Sequence, residues 1–91
     1  MASKALRCEV YSPEGKLFEG DAEKVVATAV DGEVGILFNH APLVIALGDG
    51  SLRITAPGGE TRRFTAHGGF LEVIRNTVTV LTDKIEESNS N

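Results

Sequence analysis

Hydrophobic and polar residues alternate along most of the chain with the two-residue period of β-strands that bury one face. Leu6, Cys8 and Val10 show this alternation most clearly, with polar residues between them. Further along, Phe64 with Ala66 and Val78 with Val80 repeat it, so we predict that these side chains face inward. The predicted strands cover residues 6–12, 16–19, 23–30, 33–38, 52–56, 61–66, 70–74 and 77–82.

Turn residues interrupt the alternation about every ten positions, a spacing typical of β-sandwiches and barrels. Asp31-Gly32 is a strong hairpin signal, because both central residues of a type I′ turn need a positive φ. The apolar run 43–47 is ambiguous, since periodicity does not separate a short strand from a buried turn. We predict an all-β fold: an antiparallel β-sandwich (flattened barrel) of about ten short strands with no substantial helix.

The composition fits one folded domain and argues against some classes of partner. A chain of 91 residues has room for a single core. Its formal net charge of −4 argues against binding to nucleic acid, which requires a basic face. No apolar run approaches the ~20 residues that would cross a bilayer. Residues 1–4 lead into no signal-peptide stretch, so we expect the chain to remain in the cytoplasm.

Candidate chemistry in the sequence is sparse. Cys8, His40 and His67 are its only soft ligands or nucleophile–base candidates, and their spacing matches no zinc pattern. Cys8 is in phase with the predicted core, so we assign it a structural role. For His40, which precedes Ala41-Pro42, we expect a loop-fixing hydrogen bond or an exposed contact. The glycine clusters open no helix and fit turns better than phosphate sites. We predict no catalytic residue, no metal and no cofactor.

Four stretches carry a family signature. The first is DGEVGILFNHAPL at residues 31–43, and three others agree with it in order and spacing: 13–20, 50–54 and 68–83. Together they resemble the epsilon subunit of F-type ATP synthase (delta in mitochondrial naming) over about residues 6–83. The resemblance implies the N-terminal domain of that subunit, a ten-stranded antiparallel β-sandwich.

The resemblance also implies a function and partners. In the family, this domain binds the foot of the gamma subunit and rests on the polar loops of the membrane c-ring. This chain would then be a non-catalytic rotor subunit that couples proton-driven ring rotation to ATP synthesis, at the cytoplasmic face of the bacterial inner membrane. The positions that match family contacts are Glu33 beside the ring loops, His40, Ala41, Pro42, Leu43 and Ile45 near the gamma and ring contacts, and Ser12 near gamma. From the pattern alone, the run 43–45 could equally belong to the core.

The sequence departs from the family pattern at two places. Phe38 stands where the family usually has proline, so we expect a local difference in the backbone. After Asp83 the family commonly continues into a helical hairpin that can bind ATP and restrain hydrolysis, whereas here a polar tail follows. We expect a sandwich domain at residues 1–83 and a tail at 84–91, a short form in which neither ATP binding nor hairpin-mediated inhibition is expected.

Two other functional interpretations are compatible with the sequence. A free-standing β-sandwich that binds a carbohydrate or small ligand would need a cleft with exposed aromatic residues, yet the chain has one Tyr, four Phe and no Trp. A small β-barrel enzyme would need a catalytic set, which the sequence does not offer. Identifying the partner that the chain captures would discriminate among the three.

Overall fold

The computed structural model describes residues 5–88, which form nine β-strands and no helix. No membrane-spanning helix is therefore present within that range. The strands are β1 (Leu6–Ser12), β2 (Gly15–Ala22), β3 (Lys24–Ala29), β4 (Gly32–Leu37), β5 (Leu43–Thr55), β6 (Thr61–His67), β7 (Phe70–Ile74), β8 (Thr77–Leu81) and β9 (Lys84–Ser88).

Two sheets share the long strand β5. Residues 43–46 of β5 pair with β7, which gives a first sheet in the order β2-β1-β8-β7-β5. Residues 49–55 pair with β6, and part of this half also pairs with β3, which gives a second sheet in the order β4-β3-β5-β6-β9. Where β5 passes from one sheet to the other, Gly50 lies against Thr28, and a Cβ at this position would be only 2.6 Å from the Thr28 Cβ. Glycine is required there because the two strands approach so closely.

The core lies between the two sheets and is built from the alternate residues of each strand. Every side chain that the alternation predicts to face inward is buried, with Phe64 the largest of them at 1% exposed. Burying a side chain of this size contributes roughly 2–3 kcal/mol to folding. The buried side chains predicted from the sequence are Leu6, Cys8, Val10, Phe64, Ala66, Val78 and Val80.

The thiol of Cys8 is part of this core and is fully buried. Burial, with a smaller contribution from the charge of Glu9, raises its pKa to about 12. We expect the native protein at neutral pH to resist a thiol reagent such as Ellman's reagent and to react fully once denaturant is added, because the thiolate is the nucleophile. Fast stoichiometric labelling of the native protein would contradict the buried position of Cys8.

One strand pairing differs from the antiparallel prediction. β1 pairs with β2 antiparallel, but it pairs with β8 parallel, with Cys8 opposite Val78 and Val10 opposite Val80. The sandwich is therefore mixed at this one junction. The alternation of buried residues is the same in both pairing directions, so the pattern could predict the buried faces but not the direction.

The connections also correct the sequence-based boundaries. The ambiguous run 43–47 is a strand, and it continues through Gly48-Asp49-Gly50 as part of β5 instead of ending there. In the β3–β4 hairpin Ala29 pairs with Gly32, so Val30 and Asp31 are the central turn residues. Gly32, with a φ of 127°, opens the returning strand and does not occupy the turn itself.

The second sheet continues beyond Asp83. β9 pairs antiparallel with β6. Ile85 packs against the core, and Glu87 accepts two hydrogen bonds of 2.9 and 2.8 Å from Arg62. The Arg62 guanidinium also lies 5.0 Å from the ring centroid of Phe18, so it connects β9 to the edge of the first sheet. Strand β9 is polar because it is an edge strand with most side chains exposed. Residues 89–91 of the predicted tail lie outside the described range.

Candidate docking surface

The outer faces of the two sheets differ in polarity. On the first sheet, five large apolar side chains are exposed: Val44 at 66%, Phe70 at 56%, Leu81 at 52%, Ile74 at 47% and Leu17 at 45%. A cluster of exposed apolar side chains of this kind is a candidate interaction surface. The outer face of the second sheet carries mainly polar and charged side chains, although Leu37 is also 55% exposed there. The polar side chains include Lys24, Thr28, Glu33, Arg53, Arg63 and Thr65.

Cross-strand pairing places Phe70 and Leu81 beside each other, while Val44, two residues before Ala46 on β5, is paired with Glu72. Phe70 on β7 is paired with Ala46 on one side and with Leu81 on the other. Leu81 is in turn paired with Tyr11 on β1. We define the docking patch as Tyr11, Val44, Ala46, Phe70 and Leu81.

Ser12 lies at one end of the docking patch. A groove of about 520 Å³ opens there, and Ser12, Phe70 and Leu81 contribute to its walls. The Ser12 hydroxyl donates a hydrogen bond of 3.3 Å to Glu14 Oε1. Asp83 places a carboxylate at the same groove. The groove is therefore mostly apolar with an acidic and hydroxyl rim.

Glu33 lies on the other side of the docking patch. A second groove, of about 390 Å³, separates the β3–β4 hairpin from β5 and is lined by Glu33, Val44 and Ile45, among others. Ala46 lines both grooves, so they adjoin at the patch. The Glu33 carboxylate is half-exposed and accepts a hydrogen bond of 3.1 Å from the Arg53 guanidinium.

The loop between β4 and β5 carries the other predicted contact residues. His40 N–H donates to the Leu37 carbonyl oxygen at 3.1 Å and closes a tight turn. The His40 ring nitrogen Nδ1 donates to the Ala41 carbonyl oxygen at 2.7 Å, so the ring fixes the loop locally. Ala41 and Pro42 are exposed.

The alternation of buried and exposed residues along β5 shows which residues of the run 43–45 belong to the core and which face outward. Leu43 and Ile45 are partly buried and pack against the core. Val44 lies between them in sequence and faces outward. Ile45, one of the predicted contact residues, therefore forms part of the floor of a groove. Val44 is the exposed residue next to it, and the prediction from the sequence did not include it. Phe70 and Leu81 were missed as well, although alternation from the inward Leu71 and Val80 could have placed both outside.

The chemistry of this surface is that of binding. Within residues 5–88 no group of three or more His, Cys, Asp or Glu side chains is arranged to hold a metal ion. The Tyr11 hydroxyl donates a hydrogen bond of 2.6 Å to Glu9, which raises the pKa of Tyr11. The surface thus offers apolar area, a neutral phenol and separate charged residues at its rim, the usual make-up of a protein interface.

Residues 5–88 match the family model described as the β-sandwich domain of the ATP synthase delta/epsilon chain. The chain belongs to this family. The resemblance recognised from the motifs at residues 31–43 and 68–83 is therefore confirmed, as is the β-sandwich fold.

Curated relatives in the family have the same name in different bacteria. The ATP synthase epsilon chain of Stenotrophomonas maltophilia (strain K279a) is 46% identical over 78 residues, which cover 86% of this chain and 56% of the relative. That of Pelotomaculum thermopropionicum is 41% identical over 88 residues, which cover 97% of this chain and 65% of the relative. The chain thus spans 56% to 65% of the length of these relatives.

Solved structures share the fold at low sequence identity. A chain in the Euglena gracilis mitochondrial ATP synthase structure (OSCP/F1/c-ring) superposes with a TM-score of 0.88 at 21% identity, over 93% of this chain and 54% of that one. A chain in the central stalk/c-ring structure of the Tetrahymena thermophila enzyme gives a TM-score of 0.75 at 16% identity, over 92% of this chain and 66% of that one. Both comparisons establish the fold of the domain.

Proposed function

We propose that this domain belongs to a non-catalytic rotor subunit of an F-type ATP synthase, where it docks on the gamma subunit and the c-ring and couples ring rotation to ATP synthesis. The observation that carries the proposal is the family match over residues 5–88. The relatives named ATP synthase epsilon chain agree with it. The carbohydrate-binding alternative has no support among the relatives and structures named above.

The docking patch is the proposed gamma-binding surface. Val44, Phe70 and Leu81 are each more than half exposed, so covering them with a partner removes apolar surface from water, at roughly 25 cal/mol per Å². Ser12 borders this surface. The loop residues His40, Ala41 and Pro42, and the partly buried Leu43 that begins β5, are proposed to contact gamma as well. Anchors of this type at the centre of an interface supply most of the binding energy.

Glu33 is the proposed contact to the c-ring. Its carboxylate is half-exposed at the edge of the sandwich, where the Arg53 guanidinium holds it in place. A half-exposed carboxylate suits contact with the polar loops of a ring better than an apolar groove does, because it can stay partly solvated at the contact. We propose that this contact holds the subunit, through the complex, at the cytoplasmic face of the bacterial inner membrane.

Reversing the charge of Glu33 tests the coupling role. We expect Glu33→Lys to lower ATP-driven proton uptake when the assembled ATP synthase carrying the variant is reconstituted in vesicles. The ion pair with Arg53 is a surface pair, so the Tm of the domain should change by no more than about 5 °C. Glu60→Lys, the same charge change at an exposed residue of the β5–β6 loop, is the matched control and should pump as the wild type does.

The same experiment can refute the proposal. Equal proton uptake for wild type, Glu33→Lys and Glu60→Lys, with all three present in the complex at equal amounts, would remove Glu33 from the ring contact. Absence of the wild-type chain from purified ATP synthase of its own organism would refute the rotor assignment itself.

A further inference from the structure

Two asparagines far apart in sequence join the β4–β5 loop to the β7–β8 turn. The backbone N–H of Asn39 donates a hydrogen bond of 2.6 Å to Asn76 Oδ1. In return, Asn76 Nδ2 donates a hydrogen bond of 3.3 Å to Asn39 Oδ1. These two hydrogen bonds connect the loop that holds His40, Ala41 and Pro42 to the neighbouring turn of the first sheet.

The Asn76 end of this connection is rigid. Arg75 and Asn76 form the two-residue turn of the β7–β8 hairpin and have φ values of 49° and 61°. These values are those of a type I′ turn, in which both central residues are left-handed. The Asn76 carbonyl oxygen also accepts a hydrogen bond of 2.8 Å from the Arg7 N–H on β1. Strands β7 and β8, together with the hydrogen bond to β1, thus fix the backbone that carries the Asn76 side-chain amide.

The other end of the connection lies at Asn39, whose backbone conformation is energetically unfavourable. Asn39 has a φ of 66°, a conformation that asparagine tolerates better than most residues but still at a cost. Its N–H is bound by the Asn76 side chain, whereas the turn itself is closed by the Leu37–His40 hydrogen bond. Without the Asn76 amide this N–H would turn to water, and the loop would lose a fixed conformation before His40.

We propose that Asn76 is a positioning residue, whose side-chain amide holds the β4–β5 loop in the conformation that binds the gamma subunit. The inference rests on the proposed function, because it assigns His40, Ala41 and Pro42 to that interface. A loop ordered in advance binds with less loss of conformational entropy, so a missing amide should weaken binding without changing the contacts themselves.

The test compares three substitutions in the same turn. Asn76→Gly keeps the left-handed backbone and removes the amide, and we expect its Kd for the purified gamma subunit to rise about tenfold, the effect of one lost hydrogen bond and its ordering. Asn76→Asp keeps the oxygen that accepts from Asn39 N–H and should restore most of the affinity. Arg75→Gly changes the adjacent left-handed residue and should bind as the wild type does.

A second measurement separates positioning from stability. In the wild-type domain, we expect the Asn39 amide to be protected from hydrogen exchange. In Asn76→Gly it should exchange at least about tenfold faster, while amides of the core strands keep their protection. A purely structural role would instead lower the Tm and speed exchange in the core strands as well.

The outcomes discriminate between this inference and the function on which it rests. If Asn76→Gly bound gamma as tightly as the wild type does, the positioning role alone would be overturned. An unprotected Asn39 amide in the wild type would also overturn it, whether or not the variants fold. Failure of the wild-type domain to bind gamma at all would overturn both.

Discussion

Replacing Gly69 by alanine is expected to prevent the domain from folding. Gly69 has a φ of 108°, where side chains are strained, and a Cβ there would overlap the carbonyl oxygen of Leu81 and lie 2.7 Å from the Cα of Thr82. These are backbone atoms at the end of β8, so no rotamer change relieves the clash. The carbonyl oxygen of Gly69 also accepts a hydrogen bond of 2.9 Å from Leu47 N–H, which opposes a shift of the loop. We expect a loss of about 4 kcal/mol or more in the free energy of unfolding.

Gly58→Ala is the matched control. A Cβ at Gly58 would meet no atom within 4 Å, and Gly58 has no positive φ. This variant should therefore be as stable as the wild type or slightly more stable. Soluble expression and thermal melting compare the two, and a Gly69→Ala protein that melts at the wild-type temperature would contradict the close approach of the β6–β7 connection to β8.

Adjacent residues of β5 are expected to respond in opposite ways to a new charge. Ile45→Asp should destabilise the domain by roughly 3 kcal/mol or more, because Ile45 packs against the core and its replacement leaves an unpaired carboxylate there. Val44→Asp should change the free energy of unfolding by less than about 1 kcal/mol, because Val44 is 66% exposed. The two variants have the same net charge, so the difference reports only the face on which each side chain lies.

Urea denaturation of both variants measures this difference. Equal stability of the two proteins would mean that β5 does not present Val44 outward, and the docking patch would lose one of its residues. A folded Ile45→Asp protein with an unfolded Val44→Asp protein would reverse the phase of the strand and contradict the pairing of Ile45 with Leu71.

The buried faces of the fold could be predicted from the sequence, whereas some strand partners could not. Period-two alternation identified the inward faces of β1, β6 and β8 because these strands bury one side only. The same alternation does not indicate whether β1 pairs with β8 in parallel. Strand β9 was missed because an edge strand with exposed polar side chains resembles a solvated tail. Gly48 and Gly50 suggested a turn, although both lie within β5, where Gly50 allows a close approach to Thr28 of β3.

The candidate site was likewise only partly predictable from the sequence. The motif at residues 31–43 identified the family and the β4–β5 loop. The docking patch brings together Tyr11, Ala46, Phe70 and Leu81, which meet only through the pairing of four strands. No local pattern contains that pairing, so the surface could be recognised only in the folded chain. The Asn39–Asn76 connection likewise joins residues 37 positions apart.

The most direct test of the docking patch is a calorimetric titration of the gamma subunit against three forms of the domain. The wild type and Thr61→Asp, which adds a charge at an exposed position on the second sheet, should bind with equal affinity. Phe70→Asp should stay folded, since Phe70 is 56% exposed, and bind at least about 100-fold more weakly, as expected when an aromatic anchor is replaced by a desolvated charge. Wild-type affinity for a folded Phe70→Asp domain would contradict the assignment of this surface to the gamma interface.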